Sequence, residues 1–196
     1  PPPTNTATAL AAASAAAPAG VAVSADGAMV ATADRDADAI SIFDAATGHR
    51  LHQVKTAGAH PFGVTFHDGR IYTADVQGNS MSVIDPVAGR LVAQVPTGNH
   101  PYAVAFAGGR GFVTNQYASS VTVFDADTLE VLDEVEVGDY PEGISALPDG
   151  SAVAVANWES DELTILEADS LTIRARIPLP SGPRAFGVFT GRQALP

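Results

Sequence analysis

Apolar and polar positions alternate with a period of two through most of this chain, and that alternation comes in short runs rich in Val, Ile, Phe and Thr. Such runs, bounded by Gly, Asp and Pro, predict half-buried β-strands rather than helices. Each group of runs has the same order. A Pro opens it, at Pro18, Pro61, Pro101, Pro141 and Pro183, with spacings of 43, 40, 40 and 42 residues. An alternating run follows, as in Val21 and Val23, Val64 and Phe66, Val104 and Phe106, and more weakly Ile144 and Leu147. Next comes a turn: Asp26-Gly27, Asp68-Gly69, Gly108-Gly109 or Asp149-Gly150. Asp-Gly supplies the positive φ that a tight hairpin needs. A four-residue block then ends on Asp34, Asp75, Asn115 or Asn157, and six residues beyond each of these a third run begins, at Ile40, Met81, Val121 and Leu163. The constant offset marks four copies of one unit.

A fourth, more polar run closes each unit, from Arg50, Arg90, Glu130 and Thr172. Its charges suit a solvated outer edge. Turns before it carry Asp44-x-x-Thr47 and Asp125-x-x-Thr128, in which a side-chain oxygen accepts from backbone N–H groups, and the looser Glu167-x-x-Ser170. Four antiparallel strands per unit of about 40 residues, repeated radially, make an all-β fold, a β-propeller. The expected blades are 18–60, 61–100, 101–140 and 141–182, with a closing strand at 183–189. Residues 1–17 stand apart as an Ala- and Pro-rich segment, expected to be flexible, ahead of the repeats in 18–196.

The repeat resembles the YVTN family of β-propellers. Phe112-Val113-Thr114-Asn115 is nearest to the tetrapeptide that names the family, Tyr72-Thr73-Ala74-Asp75 is a drifted copy, and the flanks His100 to Phe106 and Ser120 to Asp125 agree. The resemblance covers roughly Pro18 to Phe189. It implies a prokaryotic periplasmic or secreted protein, and it implies a complete propeller of more blades than four, most often seven. Three readings follow: an arc of a larger propeller, which is the expected one, a short ring closed on itself, or one ring shared by two chains. An open arc exposes blade edges and invites self-association.

The chain has 196 residues, a net charge of −12 and no Cys. No disulfide, thiol nucleophile or Cys-based zinc site is available. The acidic balance argues against nucleic acid and anionic lipid as partners, and no strongly apolar run is long enough to predict a membrane span. There is no nucleophile elbow, and the Gly-rich stretch Gly108 to Gly111 sits in a hairpin rather than before a helix, so it is no phosphate loop.

Two sets of connections are expected to share one rim around the central funnel, and loops on a rigid scaffold are where sites occur. The links between blades carry His60, His100 and Tyr140, the links between second and third strands carry Asn115, Asn157 and Trp158, and Arg184 stands in the closing strand near the funnel. His60 and His100 before Pro read first as structural turn residues, and a pair of imidazoles is the acid–base or metal alternative. No metal site is expected from the His spacing. His49, His52 and His67 read as solvated. Asp34, Asp36 and Asp38 read as a solvated acidic loop, as do Glu159, Asp161 and Glu162. Trp158 reads either as packing or as a partner platform, and Arg184 as a salt bridge to a neighbouring blade or an anion contact. The expected function is a non-catalytic binding or scaffold module for a protein or small ligand at the rim, with no cofactor of its own. Two alternatives implied by the wider resemblance are a redox-associated subunit like the amine dehydrogenase heavy chain, and a lactonase- or lyase-like enzyme.

Overall fold

The computed structural model of the protein describes residues 17–191. Apart from Ala17, the segment expected to be flexible lies outside the described residues. Sixteen strands form four antiparallel sheets, each in simple sequence order. Blade one holds β1 Pro18–Val23, β2 Met29–Asp34, β3 Ala39–Asp44 and β4 Arg50–Lys55. Blade two holds β5 Pro61–His67, β6 Arg70–Asp75, β7 Ser80–Asp85 and β8 Arg90–Pro96. Blade three holds β9 Pro101–Ala107, β10 Arg110–Asn115, β11 Ser120–Asp125 and β12 Val131–Glu136. Blade four holds β13 Pro141–Ala146, β14 Ala152–Asn157, β15 Glu162–Glu167 and β16 Ile173–Pro178. Short 3₁₀ turns at Arg35–Ala37 and Gln116–Ala118 bridge the second and third strands of blades one and three.

The hairpins form as their residues dictate. Gly108 and Gly109 both take positive φ, 55° and 73°, and turn β9 into β10. Asp44 Oδ1 accepts from the Thr47 hydroxyl at 2.6 Å and the Thr47 N–H at 2.7 Å, and Asp125 Oδ1 from the Thr128 N–H at 2.8 Å. These hydrogen bonds hold both aspartates below the usual carboxylate range.

Packing between blades supplies the core. Ile40, Ile42 and Val54 of blade one meet Ile71 and Ile84 of blade two. Tyr72, Met81 and Val83 meet Val104, Val113 and Phe124 across the next interface. Phe112, Val121 and Val123 meet Ile144, Val155 and Leu166 across the third. Each of these large side chains stabilises the arc by about 1.5–3 kcal/mol when fully buried. Volume is matched locally: a Cβ on Gly111 would come within 1.9 Å of the Phe124 ring, so glycine makes the room that the ring fills.

The innermost strands approach at backbone distance. A Cβ on Gly20 would lie 2.2 Å from the Phe62 carbonyl oxygen, and one on Gly63 would lie 2.2 Å from that of Tyr102. Strand β1 packs on β5, β5 on β9 and β9 on β13, and among the described residues no comparable packing joins β13 to β1. The four blades are therefore an arc.

The expected closing strand is corrected. Residues 183–189 form no strand. They do take the place of a fifth inner strand, because a Cβ on Gly143 would lie 2.3 Å from the Ala185 carbonyl oxygen, repeating the approach seen at Gly20 and Gly63. No second strand pairs with the segment, and Gly187 at φ 66° interrupts its extended course. Without a ladder to satisfy its backbone, it does not become sheet. Side chains tether it instead: Ser145 and Thr190 hydroxyls lie 2.9 Å apart, and Arg184 binds Glu142.

Candidate functional site

The rim is built by one backbone device used repeatedly. The residue before each interblade Pro has a left-handed backbone: His60 at φ 56°, His100 at 55°, Tyr140 at 56° and Gly182 at 70°. A residue with a Cβ occupies this region at a cost of roughly 1–2 kcal/mol, so its surroundings must hold it there. Hydrogen bonds do so, two each at His60 and His100 and one each at Tyr140 and Gly182. The N–H of His60 donates to Asp38 Oδ1 at 2.8 Å, that of His100 to Asn79 Oδ1 at 3.1 Å and that of Gly182 to Asp161 Oδ1 at 2.7 Å. The carbonyls of His60, His100 and Tyr140 accept from the N–H groups of Val76, Gln116 and Trp158 at 2.9–3.0 Å. The device throws each pre-proline side chain onto the rim beside the loop of its own blade's neighbour.

On blades three and four this brings rings into one row. His100 stacks on Tyr117, with centroids 3.9 Å apart and planes 21° from parallel. Tyr117 lies 5.6 Å from Tyr140, and Tyr140 meets Trp158 edge to face at 5.1 Å. Arg184 ends the row, its guanidinium 4.6 Å from the Trp158 ring centroid. A Cβ on Gly182 would lie 3.1 Å from Trp158 Nε1, so the absence of a pre-proline side chain there leaves the indole its seat. Tyr117 is the most open member, 55% exposed.

Beneath the row lies a buried charge. Glu142 is 1% exposed. Its carboxylate receives Arg184 Nε at 2.7 Å and Nη2 at 2.8 Å, with Gln116 Nε2 at 3.0 Å. Bidentate pairing plus an amide donor is the geometry that makes a buried carboxylate tolerable. The Tyr140 hydroxyl is pushed up to about 12, first by burial, then by the Tyr117 hydroxyl and the charges of Glu142 and Glu159. Burial and Glu142 also raise Tyr102.

Inside the rim the inner strands enclose an open cavity of about 430 Å³. Phe62, Tyr102, Phe106, Ile144 and Phe186 give it an apolar wall. Phe62 and Tyr102 are 4.5 Å apart, and Phe186 comes within 6.0 Å of Tyr102.

Four of the expected site residues thus converge: His100, Tyr140, Trp158 and Arg184. Arg184 makes the salt bridge to blade four. Three do not join them. His60 sits one link further round, its N–H on Asp38 and its ring near Asp36. Asn115 and Asn157, expected on the rim, are both 0% exposed. Asn115 Nδ2 donates to Ser120 and Thr122, and Asn157 Nδ2 to Thr164, so each ties two strands of its own blade. Asp34 is likewise buried, taking hydrogen bonds from Thr32, Ser41 and Gln53 rather than belonging to a solvated loop. His67 is half-buried rather than free in solvent, with its ring stacked 3.8 Å from that of Phe106. Among the described residues no three His, Asp or Glu side chains gather as metal ligands.

Tyr117, Glu142 and Gln116 were not anticipated. The signal was in the repeat. The residue after each interblade Pro is Phe62, Tyr102, Glu142 and Arg184, so two opposite charges replace two aromatic rings at adjacent equivalent positions.

Four radial antiparallel sheets around an apolar funnel define a β-propeller. The sequence profile of the YNCE-like β-propeller family matches residues 5–152, and the chain belongs to that family. Solved structures share the fold at low identity. Hydrazine synthase of Kuenenia stuttgartiensis is 16% identical with a TM-score of 0.76, over 84% of this chain and 49% of that one. The dihydro-haem d1 dehydrogenase NirN, in complex with DHE, is 18% identical with a TM-score of 0.69, over 84% of this chain and 38% of its own. A functionally unknown protein from Desulfotomaculum acetoxidans is 19% identical with a TM-score of 0.69, over 82% and 57%. The chain spans between 38% and 57% of the length of these proteins. No curated protein matches its sequence. No helix among the described residues is long and apolar enough to cross a membrane.

Proposed function

We propose that this propeller is a non-catalytic binding or scaffold module, and that its partner engages the rim row of blades three and four. The continuous series His100, Tyr117, Tyr140, Trp158 and Arg184 carries the reading. Aromatic and arginine side chains concentrate binding energy at interfaces, and rings lose little side-chain entropy on contact. The two imidazoles favour this over acid–base chemistry: His100 is stacked with its Nδ1 3.1 Å from Asn99 Oδ1, and His60 belongs to another link. The YVTN repeat designation, and with it a periplasmic or secreted location, rests on the Phe112 to Asn115 tetrapeptide and its flanks.

The partner is to be found by pull-down from the source organism's extract, with cross-linking at the rim. Trp158→Ala and Tyr117→Ala are each expected to weaken partner binding by about 2 kcal/mol, the magnitude of an interface hot spot. Unchanged binding by both variants, measured calorimetrically, sinks the rim reading. Self-association through the open end of blade one is a separate expectation, supported by exposed Val21 and Val23 and checked by light scattering. The redox-associated reading draws support only from the names of two structural neighbours, and co-purification with a cofactor-bearing subunit tests it.

A further inference from the structure

Charge decides what chemistry suits the row. Asp139 and Glu159 flank Tyr140 and Trp158 in sequence, and the Glu159 N–H donates to the Asp139 carbonyl, which holds the two residues side by side. Both are exposed. Asp139 takes a hydrogen bond from Ser119, and no Arg or Lys forms a salt bridge to either carboxylate among the described residues. The one cation on the row, Arg184, is neutralised by Glu142. The ring faces themselves carry negative quadrupole potential.

The protein already displays the complementary arrangement once. The Arg184 guanidinium lies on the Trp158 ring and is gripped by the Glu142 carboxylate. Tyr117 and Tyr140, with Asp139 and Glu159 beside them, repeat that pairing of π-face and carboxylate without a cation of their own.

We propose that the rim row receives a basic peptide segment, with an Arg or Lys side chain laid on the Tyr117 and Tyr140 rings between Asp139 and Glu159. This rests on the reading of the rim as the binding surface and names the partner's chemistry. Cations over aromatic faces bind more tightly once desolvated, and adjoining carboxylates add directional hydrogen bonds. The net charge of −12 steers such a segment toward the protein, and it opposes single-stranded nucleic acid, which also stacks on rings but requires a basic groove.

Trp158 is the sole Trp, so its fluorescence reports from the row itself. The probes are a hexa-arginine peptide, a hexa-glutamate peptide and a short oligothymidylate, titrated at low salt. Hexa-arginine is expected to change the Trp158 emission. Its affinity is expected to fall about tenfold in Tyr117→Ala and in the double variant Asp139→Asn/Glu159→Gln, and to fall with added salt. An unchanged circular dichroism spectrum of Tyr117→Ala separates a lost platform from a misfolded variant. Asp127→Asn, at an exposed turn, is expected to change nothing. Hexa-arginine binding equally well to the rim variants overturns the proposal, as does preference for hexa-glutamate or oligothymidylate. In the latter case Trp158 still responds, so the rim reading survives while the cationic one fails. If no probe moves Trp158, the cationic proposal fails, and the partner pull-down judges the rim reading separately.

Discussion

The last residue of the second strand shows how one position can carry two chemistries. Asp34, Asp75, Asn115 and Asn157 are equivalent, and all are buried. Asp75 Oδ2 accepts from Ser82 at 2.7 Å, Ser80 at 3.2 Å and the Gly58 N–H at 3.1 Å, while Asn115 donates to the matching hydroxyls. Burial outweighs the hydrogen bonds and pushes the Asp75 carboxyl up to about 6 from its ordinary 3.8. Between those values the folded protein keeps a proton that the unfolded chain has released. Stability from this group therefore falls as pH rises from 3.8 through about 6, and stays low above it. Asp75→Asn, copying blades three and four, is expected to raise stability at neutral pH by on the order of 1–2 kcal/mol and to remove that pH dependence. Urea unfolding of both proteins at acid and neutral pH checks it, and a variant less stable than wild type at neutral pH contradicts it. Sequence placed these residues in one repeat position, but it could not place their side chains. The polar loop that follows each one suggested a rim, whereas the block's alternation turns the last side chain into its own blade.

Strands were the most legible elements. Period-two alternation set their faces, and Asp-Gly or Gly-Gly set their turns, so all sixteen follow from local chemistry. The inner strands add a constraint that only their contact reveals. Gly63 sits where β5 meets the β9 backbone, and a Cβ there has nowhere to move, since its obstacle is the Tyr102 carbonyl. Gly63→Ala is expected to cost about 1–3 kcal/mol, as overpacking does in a rigid interior. Chemical denaturation checks the value, and a loss below about 0.5 kcal/mol, ordinary for a surface substitution, overturns the close-approach account. Residues 183–189 illustrate the opposite case. Their sequence repeats an inner strand, yet a strand needs a neighbour, and the repeat pattern of one segment says nothing about who pairs with it.

At the scale of the whole molecule, identical positions have different fates. Val21, Val104 and Ile144 share one register position on their inner strands. Val104 and Ile144 are 6% and 5% exposed because a preceding blade covers them, whereas Val21 is 68% exposed and Val23 57%. Val104→Ala is therefore expected to cost about 1–3 kcal/mol, and Val21→Ala less than about 0.5 kcal/mol. Thermal and urea unfolding of the pair reads this directly, and equal losses would mean that the front of blade one is covered in solution.

The rim obeys the same rule. Pro at each blade boundary, and the aromatic and charged residues beside it, are visible in the chain. Their convergence into one row is not, because it depends on the left-handed turn before each Pro and on the angle between blades. By itself the sequence determined the repeat, the strands, their turns and the propeller class, since each follows from periodicity and local backbone preference within about 40 residues. Only the tertiary structure decided which equivalent residues are buried, that Glu142 and Arg184 neutralise each other, and that the rings of blades three and four form one surface. Those outcomes are set by which blade lies next to which, and contact between blades is a property of the assembled arc rather than of any one repeat.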